Sequence, residues 1–72
     1  MKPLKDCAWV VQIATFPKQD HDLYHWAAWT DDETGLVSGH LAGHYLKATK
    51  EEAEQSWKDF AQENMFTKWE MK

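Results

Sequence analysis

Hydrophobic and polar positions change their period along this chain, and each change marks an element. From Cys7 to Phe16 the residues read CAWVVQIATF, a β-branched and aromatic run closed by Pro17, which predicts a first strand. The polar stretch KQDHD at residues 18–22 interrupts it, and LYHWAAWT from Leu23 to Thr30 resumes as a second strand. Asp31-Asp32-Glu33-Thr34-Gly35 reads as a turn, because unpaired carboxylates resist burial and Gly35 takes positive φ freely. A third strand follows from Leu36 to about Leu46. The period then becomes helical: Ala53, Trp57, Phe60 and Ala61 make one apolar stripe, and Thr49 with Glu52 forms a capping box. Glu51 and Glu52 suit the positive end of the macrodipole, so the helix should run from about Lys50 to Asn64, with Asn64 as a left-handed terminator. FTKWEM, from Phe66 to Met71, alternates as a short fourth strand.

The predicted fold is therefore α+β, a small antiparallel sheet with one helix packed on one face, in the order β-β-β-α-β. No repeat or linker divides the chain, so residues 1–72 form one domain. Nothing in the residues says whether 1–6 are ordered.

Strand register decides which side chains meet the helix, since a slip of one residue exchanges the two faces. If the acidic turn pairs Thr30 with Leu36, Ala27 stands opposite Gly39. One face then carries Leu23, His25, Ala27 and Trp29 beside Val37, Gly39, Leu41, Gly43 and Tyr45. This is the expected core face, joined by Trp9, Val11, Ile13, Trp69 and Met71, with Trp57 packing close over Gly39 and Gly43. The other face would present Gln12, Tyr24, Trp26, His40 and His44 among small apolar residues, a candidate binding surface. A bulge or a different register would instead bury Trp26 and leave no such patch.

Composition narrows the function. A chain of 72 residues buries only about 60% of the surface its unfolded form exposes, which leaves little room for a catalytic cleft, so no enzymatic activity is expected. Five tryptophans, two tyrosines and three phenylalanines carry the apolar load, and the core should be aromatic. The single Cys7 cannot close an internal disulfide, which points to a reducing cytoplasm and to a small buried side chain. No run of about 18 apolar residues and no signal-peptide pattern is present.

Candidate chemistry is sparse. His21 with His25, and His40 with His44, repeat an H-x-x-x-H spacing, but four residues along an extended strand span about 13 Å, too far to share a zinc ion. A cross-strand site from one histidine of each pair is the only metal arrangement left, and neither metal nor cofactor is expected. Ser38 and Ser56 lie in no nucleophile elbow, and no phosphate-binding glycine loop occurs.

Residues 26–62, through the turn ending in Gly35, the G-x-Y step at Gly43 to Tyr45 and the helix start at Thr49 to Ala53, resemble AP2 domains and integrase arm-binding domains. That resemblance implies a sheet laid in the DNA major groove. The arginines such domains present are replaced here by Trp26, His40 and His44, and a net charge of −4 lacks the cations that neutralise phosphate. In size, acidity and element order the chain is also similar to small phage-encoded inhibitors of host machinery. The leading expectation is a small non-enzymatic protein-binding module, a regulator or inhibitor that docks on a larger protein through Tyr24, Trp26, His40, His44 and Gln12. Homodimerisation through that face is a variant of it, and sheet-mediated DNA binding is the alternative.

Overall fold

Four strands and one long helix carry out most of that plan. The computed structural model describes residues 2–33, 40–43 and 45–72. A 3-10 turn at Leu4–Asp6 leads into β1 (Trp9–Pro17), β2 (Asp22–Trp29), β3 (His40–Ala42), α1 (Lys50–Glu63) and β4 (Trp69–Met71). The fold is α+β, and the order β-β-β-α-β is the predicted one. Spatially the strands run β3-β2-β1-β4. β4 lies parallel to β1, with Trp9 opposite Trp69, so the sheet is mixed rather than wholly antiparallel. Of the predicted third strand, residues 36–39 and 44 lie outside the described residues, and Gly43, Tyr45 and Leu46 are described but fall outside β3, which is shorter than expected.

Pro17 closes β1 without harm to the ladder. Trp9 donates to Lys68 and Val11 accepts from Lys72, so the odd residues of β1 turn their backbone groups toward β4. The N–H that Pro17 lacks would point to that same side, past the end of β4, where no strand needs it.

The register corrects the predicted faces. Ala27 pairs with Ala42, Ala28 with Leu41 and Trp29 with His40, where the acidic turn had suggested Gly39 opposite Ala27. The shift of three residues is odd, and it exchanges one strand's faces relative to the other. Trp9, Val11 and Ile13 share their face with Trp26 and Ala28, as the pairs Ile13 with Trp26 and Val11 with Ala28 require. Leu23, His25, Ala27 and Trp29 thus occupy the opposite face, half-buried rather than in the core. Leu41, Trp69 and Met71 do pack against the core as expected.

Seven ring contacts tie the core together. Trp57 on α1 meets Trp26 edge-on at 5.0 Å, Trp69 edge-on at 5.8 Å, and Phe60 and Phe66 each at 6.0 Å. Trp9 stacks on Phe66 at 5.6 Å and donates its Nε1–H to the Leu4 carbonyl at 3.0 Å. The small side chains of Ala28 and Ala61 lie among these rings in the same cluster.

Both helix ends are built from local bonds. Thr49 has extended backbone and its Oγ1 accepts from the Glu52 N–H at 3.1 Å. At the other end Asn64 is not the left-handed residue; Met65 is, at φ 61°. Phe66 donates to the Ala61 carbonyl and Met65 to the Gln62 carbonyl, a Schellman closure whose apolar contact is Phe66 against Phe60 at 5.7 Å. Burial of Phe66 selects that geometry over the steric preference of the residue.

The acidic turn holds the N-terminal segment. Asp32 accepts from the Ala8 N–H at 2.7 Å and from Lys2 Nζ at 3.3 Å, while Lys2 N–H donates to the Glu33 carbonyl at 2.8 Å. The Ala8 bond first, and then the Lys2 ammonium, hold the Asp32 carboxyl below its ordinary value. A carboxyl with a lowered folded-state pKa adds stability that is complete at neutral pH and is lost as the pH falls below about 4 toward that lowered value. The gap in urea midpoint between the parent and Asp32→Asn is therefore expected to be larger at pH 7 than at pH 2.5. A gap that did not change with pH would sink this role. Behind the latch Cys7 is buried, its thiol donating weakly to the Pro3 carbonyl at 3.4 Å, and burial first, then Asp32, pushes the thiol above its ordinary pKa.

Candidate interaction cleft

The five residues expected to form one binding surface are not on one face. Trp26 is 3% exposed and belongs to the core, because its pairing with Ile13 sets it on the face of Trp9 and Val11, toward α1. Tyr24 shares that side, half-buried, with Lys50 Nζ 5.9 Å from its ring centre. Gln12 is exposed on the opposite face, opposite Ala27. His40 stands at the ladder position opposite Trp29, and His44 lies outside the described residues. Trp26 thus anchors the core and is not part of a surface patch.

A cleft of about 490 Å³ opens instead on the helix side. Its floor is Trp26, Phe60 and Gly43, and Tyr45, 76% exposed, stands at its margin. Trp26 reaches this position because Gly43 has no side chain: the Gly43 N–H donates to the Trp26 carbonyl, and the indole lies directly over Gly43. The strand geometry here is irregular. Gly43 bonds Trp26, while Tyr24, two steps back along β2, bonds Lys47, four steps further on, in both directions at 2.8 and 2.7 Å.

One wall is a row of carboxylates. Glu52, Asp59 and Glu63 are separated by seven and four residues, which at about 100° per residue places Asp59 and Glu63 about 20° to either side of Glu52 on one helix face. Along α1 the row extends about 16 Å at 1.5 Å per residue. Gln55 fixes Asp59 through Nε2 to Oδ1 at 2.9 Å, and Lys47 is the one cation on the cleft wall among the described residues. An aromatic floor with three carboxylates above it favours an extended cationic group: the rings accept its carbon stem and the carboxylates its charge.

The row is not apparent from the apolar stripe that marks α1 in the sequence. Its spacing was the available signal, but the aromatic floor that makes it a cleft depends on the orientation of Trp26. Among the described residues no three His, Cys, Asp or Glu side chains converge on a point that could hold a metal. No helix of the described residues is long and apolar enough to cross a membrane. No family model, curated protein or solved structure matches this chain.

Proposed function

We propose that this chain is a non-enzymatic protein-binding module, a regulator or inhibitor of a larger protein, which takes a basic segment of its partner into the cleft between α1 and Gly43, Tyr45 and Lys47. The observation that carries the reading is the carboxylate row of Glu52, Asp59 and Glu63 over the ring floor of Trp26 and Phe60. Its chemistry suits lysine or arginine side chains, and the surplus of negative charge would speed encounter with a basic surface. A lone buried thiol fits a cytoplasmic setting.

DNA binding has less support. All eight basic residues are lysines, and none stands among the described residues of β2, β3 or β4. The bidentate arginine contacts that read guanine are absent from the composition.

The test titrates a short oligo-arginine peptide into the protein, read by calorimetry, beside a Glu52→Gln/Asp59→Asn/Glu63→Gln variant. The parent should bind, with affinity falling between ~50 and ~200 mM salt, and the variant should bind at least ~10-fold more weakly while keeping its helix content. Equal binding by parent and variant would overturn the cleft assignment. A mobility shift with duplex DNA at ~50 mM salt would favour the alternative.

A further inference from the structure

We propose that two copies of this chain pair through the open face of the sheet, each seating Phe16 and Lys18 of its β1–β2 hairpin in the hollow beside Trp29 and Glu70 of the other. This does not rest on the cleft, which lies across the sheet on the helix side.

The open face comprises Val10, Gln12, Ala14 and Phe16 of β1 and Leu23, His25, Ala27 and Trp29 of β2. None of these is fully buried, whereas Trp9, Val11, Trp26 and Ala28 behind them are. Those eight positions hold no Asp, Glu, Lys or Arg, in a chain of which 28% is charged, and the charge that β4 adds to the face is Glu70, beside Val10 at one end. Each copy has a net charge of −4, so two copies repel wherever carboxylates face each other. This face is where they can approach with least repulsion.

The two ends of the face complement each other. At one end Phe16 is 44% exposed, with Lys18 Nζ 5.1 Å from its ring centre. At the other, a hollow of about 380 Å³ is walled by Val10, Trp29, Thr30, Asp31, Lys68 and Glu70. Val10 and Phe16 are six residues apart, about 20 Å along an extended strand. A two-fold axis lying between the sheets and perpendicular to the strands exchanges these ends, so both copies make the same contact. Ala14 and Ala27 between the ends let the sheets approach the usual spacing of about 10 Å. Lys18 then brings its charge to Glu70 and Asp31, while Asp32 keeps its bonds to Ala8 and Lys2.

The area suffices. Strands of nine, eight, three and three residues, at about 3.3 Å by 4.8 Å per residue, give a flat footprint of about 370 Å². Accessible area over side chains exceeds the flat footprint, so two copies together remove on the order of 1,000 Å², the lower bound for a specific interface.

Sedimentation equilibrium from ~10 µM to ~1 mM should show a monomer–dimer equilibrium in that range. Phe16→Ala should raise the dissociation constant at least ~10-fold. Lys18→Glu and Glu70→Lys should each weaken association at least ~5-fold, and the double variant, which restores opposite charges across the interface, should recover it. The cleft variant with three amides should dimerise as the parent does, which keeps the two proposals separate. A parent monomeric at ~1 mM, a dimer indifferent to Phe16→Ala, or a double variant as weak as its singles would each overturn the proposal.

Discussion

Replacing Trp57 with alanine is expected to leave most of the chain unfolded in buffer at 25 °C. Stability scales at about 0.05–0.15 kcal/mol per residue, so a chain of 72 residues has on the order of 4–11 kcal/mol, and small domains sit toward the low end. Truncating a buried tryptophan typically costs about 3–5 kcal/mol. Trp57 is 0% exposed and touches four other rings, those of Trp26, Phe60, Phe66 and Trp69. Each such aromatic pair adds about 0.5–1.5 kcal/mol beyond area burial, so the loss should lie at the upper end. Trp57 is the one large side chain among the three buried residues of α1, so its loss leaves Ala53, Ala61 and the half-buried Phe60 to hold the helix to the sheet.

A second substitution separates ring packing from hydrogen bonding. Among the described residues the Trp57 Nε1–H is buried with no partner, an arrangement that costs about 1–3 kcal/mol. Trp57→Phe removes that donor along with part of the ring, so its loss of volume is partly offset. Urea titration followed by far-UV circular dichroism should place Trp57→Phe much nearer the parent than Trp57→Ala. If Trp57→Ala retained stability within about 1 kcal/mol of the parent, the aromatic cluster would not be what holds the helix to the sheet.

The elements of this fold are legible in the sequence because they rest on local signals. The Thr49 cap, the Ala53, Trp57 and Ala61 stripe and the β-branched run of β1 each depend on neighbours a few residues away. The faces are a different matter. A core face on β1 with Trp9 and Val11 could be read from alternation, yet whether Trp26 or Trp29 shares it depends on where β1 and β2 pair across the Lys18–His21 turn. Both candidates are tryptophans next to an alanine, so composition cannot break the tie. The register drawn from the acidic turn failed in the same way, since nothing local tells that Ala27 pairs with Ala42, or that Asp32 spends both carboxylate oxygens on the N-terminal segment. Met65 shows tertiary burial overriding local preference: Asn64 is the better left-handed residue, but only Met65 in that conformation delivers Phe66 to the rings of Trp9 and Phe60. The cleft inherits these errors, for its carboxylates were visible and its floor was not.

Gly43→Ala carries the second large effect, and it tests the geometry that joins core to cleft. A Cβ on Gly43 would lie 2.7 Å from Trp26 Nε1, 2.9 Å from its Cδ1 and 3.1 Å from its Cε2, so something must move. Gly43 is tied to β2 by its bond to the Trp26 carbonyl at 2.9 Å, and the indole is held between Trp57 and Phe60, each 5.0 Å away. Neither side can yield cheaply, and overpacking of this kind costs about 1–3 kcal/mol. The clash belongs to one pair of side chains, so a double-mutant cycle isolates it. Trp26→Phe removes the five-membered ring whose Nε1 and Cδ1 make the closest approaches. Gly43→Ala should accordingly cost less in the Trp26→Phe background than in the parent, by at least about 0.5 kcal/mol. If the substitution costs the same in both backgrounds, Trp26 does not lie over Gly43, and the aromatic floor of the cleft is misplaced with it.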